Sequence, residues 1–374
     1  MLRLILLGIL LLLSLLTVFK ALTYHLWLCA IIATEFPLFL VIITSALLIC
    51  GFWTPRFQLV GTLVGMLAIL LYLSPVVRSY SLSRNLEPQL ISAFGGDLED
   101  KEPFFKFSGL MGGNRMKKVD PQMLVYASDQ NLSLDFYPSA IDGKRPCVVV
   151  IHGGSWKSGD NKQLPELNTV LANTGYHVAA INYRLAPLFK NPAAVNDVAA
   201  AINHLKLNAE KLRIDSDNFV LLGRSAGAQI ALLAAYTLPE LKIKGVIDFY
   251  GPADMVWGYS VPSNPLVMDS RKVMEDYLGG TYSQVPKKYQ QSSPIRFANK
   301  NSPPTLIIHG ENDVLVAYQH STKLHKRLKE LGVKTYFLSL PWATHGFDYN
   351  INGPGGQLST FAVRKFVENV TKPL

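Results

Sequence analysis

The chain has 374 residues, of which 49% are hydrophobic, and it carries a formal net charge of +9. Its basic residues are scattered, and no basic tract is interleaved with aromatic residues, which argues against nucleic acid as a partner. The three cysteines, Cys29, Cys50 and Cys147, show neither metal-binding nor disulfide spacing, so they leave the redox compartment open.

The N-terminal part of the chain is strongly apolar and predicts a membrane region. Apolar runs occupy residues 4–19, 37–53 and 57–77. The stretch at 21–34 is also apolar, which predicts a helix that kinks before Pro37. Because a membrane-spanning helix needs about 20 apolar residues, we predict an all-α transmembrane region at 1–78 with about three spans. The protein is then an integral, multi-pass membrane protein with the lipid bilayer as a partner.

An alternative for this region is a secretory signal peptide at residues 1–23. The basic start at Arg3 and the leucine run fit a signal peptide, but the hydrophobicity continues beyond it and no clear A-x-A cleavage site follows. The flanking loops contain too few Lys and Arg residues for the positive-inside rule to give an orientation. The side of the membrane that carries the rest of the chain therefore stays open.

The remaining chain divides into a mixed segment and a long alternating region. Residues 79–120, with an acidic patch at 97–102, are interpreted as a linker or a cap over a downstream site. In residues 121–374, short apolar runs alternate with helical stretches, which predicts a doubly wound, mostly parallel α/β sheet. The predicted strands are 123–127, 133–137, 147–151, 177–182, 219–222, 245–250, 305–308 and 335–340. The predicted helices are 163–173, 193–208, 226–237, 317–331 and 358–370. Residues 253–293 are rich in Pro, Gly and Tyr and are interpreted as a lid insertion.

The pentapeptide Gly223-Arg224-Ser225-Ala226-Gly227 stands between a predicted strand and a predicted helix. A serine on such a turn is typical of the nucleophile elbow of α/β hydrolases. The flanking glycines remove side chains that would collide with the strand and the helix, and the helix N-terminus favours developing negative charge. Ser225 is therefore the candidate catalytic nucleophile.

A second motif, His152-Gly153-Gly154-Ser155-Trp156, directly follows another predicted strand. Backbone N–H groups that face a developing oxyanion are worth roughly 3–4 kcal/mol each. We predict that the amides of Gly153, Gly154 and Ala226 form an oxyanion hole. Trp156 is predicted to wall the acyl pocket and thus to bind substrate, with plain core packing as the alternative.

Later motifs supply a candidate acid and a candidate base. Asp313 ends an HGEND sequence after a predicted strand, where a carboxylate can orient a histidine, and Glu311 is the competing carboxylate. His345, in a THGF sequence, is the predicted general base, which takes the proton of Ser225 and returns it to the leaving alcohol. The order Ser, Asp, His along the chain is that of α/β hydrolases.

Together these motifs resemble the α/β-hydrolase esterases of the hormone-sensitive-lipase and feruloyl-esterase-like groups. The resemblance runs from Leu132 to the C-terminus and rests on HGGSW at 152–156, NYRLAP at 182–187, GRSAG at 223–227, HGEND at 309–313 and THGF at 344–347. It implies hydrolysis of carboxylic esters by a Ser225–His345–Asp313 triad, with no metal ion and no organic cofactor. The sequence departs from the family at Ser155, where a third glycine is common, and at Asn182, where aspartate is more usual.

We therefore expect a membrane-anchored serine carboxylesterase that acts on small-molecule or lipophilic esters with short to medium acyl groups. One alternative is a serine peptidase of the prolyl-oligopeptidase type, which shares the elbow and the residue order but usually builds its oxyanion hole differently. Another is a catalytically silent membrane scaffold that keeps the hydrolase fold. The acyl group, the alcohol group and the oligomeric state stay open.

Overall fold

The computed structural model describes residues 1–53, 57–96, 104–112 and 117–371. The strands are β1 Gln122–Ala127, β2 Leu132–Tyr137, β3 Arg145–Ile151, β4 His177–Ile181, β5 Ile214–Arg224, β6 Gly245–Phe249, β7 Thr305–Gly310 and β8 Thr335–Leu340. The α-helices are α1 Leu2–Ser14, α2 Tyr24–Glu35, α3 Pro37–Ile49, α4 Gln58–Phe94, α5 Pro165–Asn173, α6 Ala193–Leu207, α7 Ala209–Leu212, α8 Ala226–Thr237, α9 Met255–Ser260, α10 Ser270–Leu278, α11 Pro286–Gln291, α12 Gln319–Glu330 and α13 Pro354–Thr371.

The strands form one eight-stranded sheet in the order β1-β2-β4-β3-β5-β6-β7-β8. Strand β2 runs antiparallel to both of its neighbours, and all pairs from β4 through β8 are parallel. Helices cover both faces, so β3 is apolar and buried from Cys147 to Ile151: Val149 and Ile151 join the core on one face, and Val148 and Val150 join the core on the other. The predicted doubly wound α/β-hydrolase sheet is confirmed.

The N-terminal region is helical, but its helices are shorter than expected. Of the described residues, only α4 is by itself long and apolar enough to cross a membrane. Helices α2 and α3 pass the same test only as a pair that is bent by 87°, and α1 with the 3₁₀ turn behind it is too short. The bend falls at the predicted kink, because Pro37 cannot continue α2 and instead begins α3. The expected three spans are therefore not supported; the structure gives one candidate span, or two if the bent pair counts as one.

Helix α4 does not end where its apolar run ends. It continues without a break through Arg78 to Phe94, so the part of the predicted linker at 79–94 is helix. This polar half packs on the flank of the sheet: the Phe94 ring meets the Phe366 ring of α13 edge-on at 4.7 Å, and the Tyr336 hydroxyl of β8 donates to the side chain of Gln89 at 2.6 Å. The acidic patch at 97–102 lies outside the described residues.

The insertion between β6 and β7 carries α9, α10 and α11. It lies at the carboxyl ends of the parallel strands, where ligands bind in open α/β sheets. Its residues Val261, Met268 and Met274 line a cavity that also contains Ser225. The described residues of 79–120 line neither cavity that contains Ser225. Of the two segments, the insertion at 253–293 is thus the one whose described residues line the cavities at Ser225.

Candidate active site

Ser225 occupies the turn between β5 and α8 in a backbone conformation that is rare for a non-glycine residue, with φ 52° and ψ −119°. Its amide donates to the Phe249 carbonyl at 2.9 Å, which holds the turn in place. A Cβ atom on Gly223 would lie 2.3 Å from the carbonyl oxygen of Gly227, and one on Gly227 would lie 2.2 Å from the carbonyl oxygen of Ile151. Both glycines are therefore required for the close approach of α8 to β5 and β3.

Asp313 lies in the loop after β7 and is almost fully buried. Its Oδ2 accepts from His345 Nδ1 at 2.7 Å and lies 3.0 Å from His309 Nε2. Its Oδ1 accepts from the amides of Leu315 and Val316 at 2.8 and 2.9 Å. Burial alone would raise the pKa of this carboxyl, but the adjacent His345 and His309 outweigh that effect and hold the pKa well below its usual range. The group is therefore an anion that fixes the orientation of His345.

His345 is held in place through its backbone and through its ring. Its carbonyl oxygen accepts from the indole Nε1 of Trp27 at 2.9 Å, and its ring lies 4.3 Å from the ring of Tyr250. Because Nδ1 is bonded to Asp313, Nε2 is the nitrogen available for chemistry. His345 and Ser225 line the same cavity.

The competing carboxylate, Glu311, has a different neighbour. It is exposed, and its Oε1 accepts from the Ser339 hydroxyl at 2.7 Å. Among the two carboxylates singled out from the sequence, the structure thus brings only Asp313 to His345.

The predicted oxyanion-hole amides are not all alike. The Gly153 amide already donates to Oε1 of Gln163 at 2.7 Å. The amides of Gly154 and Ala226 donate to no other residue that the structure describes. Gly154 has φ +121°, and a Cβ atom there would lie 2.0 Å from the Ser158 carbonyl oxygen, so this tight turn requires glycine. The structure therefore leaves two of the three expected donors free, and the third becomes free only when the Gln163 side chain moves.

Trp156 is both a core residue and a wall of the site. Its indole N–H donates to Oε1 of Gln229 at 2.9 Å, and its ring stacks on Tyr277 with centroids 4.4 Å apart. One side of it faces the smaller cavity beside Ser225. Trp156 therefore both packs in the core and lines a cavity, so the two predicted roles do not exclude each other.

Two cavities meet at Ser225. The smaller has a volume of about 50 Å³ and is lined mainly by apolar side chains of the 253–293 insertion and of the loop after β7. The larger has a volume of about 450 Å³ and contains His345, Gly153 and Gly154, with Tyr24 and Trp27 of α2 on its wall. Only the larger cavity contains the candidate base.

The supporting roles of several residues around the site could not be predicted from motifs. Arg224 Nε donates to Asp348 Oδ2 at 2.6 Å, the Tyr250 hydroxyl donates to the other oxygen of Asp348, and His309 shares Asp313 with His345. Asp348 stands three positions after His345, and that spacing was the only available signal. No sequence signal links Trp27 to the site, because Trp27 lies more than three hundred residues from His345 along the chain.

The comparisons with known proteins agree with this fold. Residues 134–328 match the model of the BD-FAE family. Esterase LipC of Mycobacterium tuberculosis is 28% identical over 271 residues, which cover 67% of this chain and 66% of LipC. Esterase LipQ of the same organism is 27% identical over 295 residues, which cover 70% of this chain and 69% of LipQ. The chain thus spans about two thirds of the length of these curated relatives.

Among solved structures, a bacterial heroin esterase superposes with a TM-score of 0.60 at 22% sequence identity, covering 71% of this chain and 89% of that protein. At this identity the likeness concerns the fold alone. The family match takes in the elbow with Ser225 and the loop with Asp313, and it ends before His345. The chain belongs to the BD-FAE family, within the α/β-hydrolase esterases of the hormone-sensitive-lipase and feruloyl-esterase type.

Proposed function

We propose that this chain is a serine carboxylesterase whose N-terminal region anchors it to a membrane. The observation that carries the proposal is the Asp313–His345 hydrogen bond, which orients His345 in the cavity that also contains Ser225. In this proposal Ser225 is the nucleophile, His345 the general base and acid, and Asp313 the orienting carboxylate.

The reaction proceeds in two halves. The Ser225 hydroxyl oxygen attacks the ester carbonyl carbon while its proton passes to His345 Nε2, and the tetrahedral oxyanion accepts hydrogen bonds from the amides of Gly154 and Ala226. The bond between the carbonyl carbon and the alcohol oxygen then breaks, and His345 returns the proton to the leaving alcohol. Water, deprotonated by His345, attacks the acyl-enzyme and releases the carboxylic acid with Ser225 restored.

The oxyanion hole is the main source of transition-state stabilisation in this scheme. Each donor contributes roughly 3–4 kcal/mol when it faces the developing charge. Within the described part of the chain the amides of Gly154 and Ala226 have no other partner, and that of Gly153 joins them when Gln163 releases it. The N-terminal end of α8 lies directly behind Ser225 and adds a favourable field for the oxyanion.

Membrane attachment is supported by where the exposed apolar side chains lie. Most of the exposed large hydrophobic residues of the described chain fall within residues 1–77. On α4, exposed side chains such as Leu59, Leu63 and Leu70 lie in the half that precedes Arg78. A surface of this kind is unfavourable in water and favourable in a bilayer. We propose a membrane region at 1–78 and a catalytic domain at 121–374, with α4 continuous between the membrane and the flank of the sheet.

The test is hydrolysis of p-nitrophenyl acetate by the full chain in detergent, compared with Ser225→Ala. We expect turnover by the wild type and a loss of at least about 10³-fold in the variant. Equal activity in both proteins would exclude Ser225 as the nucleophile. Cleavage of a peptide p-nitroanilide in preference to the ester would favour a peptidase, and inactivity of the wild type on both would favour a scaffold.

A further inference from the structure

The two cavities at Ser225 differ in size and in which catalytic group they contain. During acyl transfer the leaving oxygen must lie next to the general acid, because the acid protonates it as the bond breaks. His345 lines the larger cavity and does not line the smaller one. If Ser225 and His345 act as proposed above, the alcohol part of the ester lies in the larger cavity, and the acyl part lies in the smaller one.

The smaller cavity limits the acyl group. Its volume of about 50 Å³ corresponds to roughly four water-sized groups. Trp156, Val273 and Met274, which line it, are each less than a tenth exposed, and Trp156 is held by Gln229 and Tyr277. Close-packed walls of this kind reject additional methylene groups. The acyl group is therefore short, from acetyl to about butyryl.

The larger cavity has one wall that comes from the N-terminal region. Tyr24 and Trp27, on consecutive turns of α2, line it together with residues of the glycine-rich turn at 153–159. This wall is attached to the catalytic domain rather than merely adjacent to it. The Trp27 indole donates to the His345 carbonyl oxygen, the Tyr24 amide donates to Leu266 of the insertion at 3.0 Å, and the Glu35 carboxylate accepts from the Gly355 amide at 2.8 Å.

Exposed apolar side chains flank Tyr24 along the chain and across its backbone hydrogen bond. Tyr24 is 45% exposed, and Phe19 and Leu22, which precede it closely in the sequence, are 62% and 66% exposed. Across the Tyr24–Leu266 hydrogen bond, Leu266 is 69% exposed. These side chains continue the exposed apolar surface of residues 1–77, so the entrance that leads to His345 opens beside the surface we assign to the bilayer.

We propose that the larger cavity, with the α2 residues Tyr24 and Trp27 as its apolar wall, binds a long lipophilic alcohol. The substrate is thus a short-acyl ester of a membrane-resident alcohol, and the enzyme removes the acyl group at the membrane surface. This proposal rests on the function proposed above and adds the division of the substrate between the two cavities. It assigns to α2 a direct part in substrate binding.

Isomeric esters with opposite orientation provide the test. Hexadecyl acetate and ethyl hexadecanoate contain the same atoms, but the first has a short acyl group and a long alcohol, and the second has the reverse. Both are presented to the full chain in phosphatidylcholine vesicles, with p-nitrophenyl acetate as the reference substrate. We expect kcat/KM for hexadecyl acetate to exceed that for ethyl hexadecanoate by at least about tenfold.

A matched pair of variants tests the α2 wall. Tyr24→Ala removes the ring on the cavity wall, and Leu28→Ala removes a side chain of α2 that is 39% exposed and does not line the cavity. We expect Tyr24→Ala to lower kcat/KM for hexadecyl acetate at least about tenfold more than for p-nitrophenyl acetate, because only the long alcohol contacts the ring. We expect Leu28→Ala to behave as the wild type on both.

The outcomes separate the two proposals. If p-nitrophenyl acetate is not cleaved, the proposed esterase function fails. If it is cleaved through Ser225 but ethyl hexadecanoate is the better of the two isomers, or neither isomer is cleaved, the esterase function stands and the lipophilic-alcohol site is overturned. If Tyr24→Ala lowers the activities on hexadecyl acetate and on p-nitrophenyl acetate equally, α2 only supports the structure, and the proposed alcohol site is wrong.

Discussion

Arg224 Nε lies 2.6 Å from Asp348 Oδ2, and this ion pair joins the turn that carries Ser225 to the turn that carries His345. Both side chains are almost fully buried. The Tyr250 hydroxyl donates to the other carboxylate oxygen, and the Tyr250 ring packs against His345. Arg224, Asp348 and Tyr250 thus form a connected polar cluster beside the proposed nucleophile and the proposed base.

Breaking this pair should destabilise the protein strongly. Asp348→Asn leaves the buried Arg224 charge without a carboxylate, and we expect a loss of about 3–5 kcal/mol in the free energy of unfolding. The control is Asp276→Asn, which removes the partner of Lys272 in a more exposed pair on α10. That change should cost less than about 1 kcal/mol. Thermal unfolding of both variants checks the difference, and equal, small losses would show that the Arg224–Asp348 pair stabilises little.

The hydrogen bond from Trp27 to His345 should affect turnover more than substrate binding. Trp27→Phe keeps an aromatic ring but removes the indole donor, leaving the His345 carbonyl oxygen unpaired at a cost of about 1–3 kcal/mol. With the backbone of His345 less firmly held, we expect kcat for p-nitrophenyl acetate to fall while KM stays near the wild-type value. Trp53→Phe, at an exposed tryptophan in the same region, serves as the control and should change neither constant. A rise in KM with unchanged kcat would contradict the positioning role.

The lowered pKa of Asp313 predicts how stability depends on pH. A carboxyl whose folded pKa lies below the unfolded value of about 3.9 contributes stability that is fully present above that value. The contribution is lost as the pH falls below the unfolded pKa towards the folded one, because the unfolded chain then binds more protons. In the Asp313→Asn variant, residue 313 has no carboxyl to titrate. From pH 6 to pH 3.5, the melting temperature of the wild type should therefore fall more steeply than that of the variant. Glu311→Gln, which changes an exposed carboxylate, should follow the wild-type curve, and parallel curves for wild type and Asp313→Asn would contradict the assignment.

The smaller cavity should control the length of the acyl chain. Met274→Ala enlarges it, and we expect the ratio of kcat/KM for p-nitrophenyl hexanoate to that for p-nitrophenyl acetate to rise about tenfold. Met255→Ala is the control, because Met255 is fully buried on the neighbouring α9 and lines neither cavity that contains Ser225. Both changes remove buried methionine and should cost about 2–5 kcal/mol, so both proteins are compared at a temperature at which they are folded. An unchanged ratio in Met274→Ala would place the acyl group elsewhere.

The sheet could be predicted from the sequence because its signals are local. Strand β3 is apolar from Cys147 to Ile151, since that part is buried on both faces, and the glycines beside Ser225 mark a turn that only they permit. The end of α4 could not be predicted in this way. The apolar run stops near Val77, but the backbone hydrogen bonding of the helix continues to Phe94.

The long-range contacts at the site correspond to no pattern in the sequence. Whether a carboxylate meets Arg224, or an indole meets the carbonyl oxygen of His345, depends on how distant loops approach each other. The bond from Gly153 to Gln163 is of the same kind: the glycine motif predicts free amides, and a side chain ten residues later occupies one of them. Motifs therefore supply the candidate reacting groups, whereas the residues that contact these candidates are seen only in the structure.

The most direct test of the central claim is to label the full chain with a fluorophosphonate and to map the modified residue by mass spectrometry. A fluorophosphonate reacts much faster with a serine hydroxyl that a neighbouring base activates than with an ordinary one. We predict a single modification at Ser225 in the wild type, none in Ser225→Ala, and a labelling rate reduced by at least about 10²-fold in His345→Ala. Labelling of another serine, or unchanged labelling of Ser225 in His345→Ala, would contradict the account.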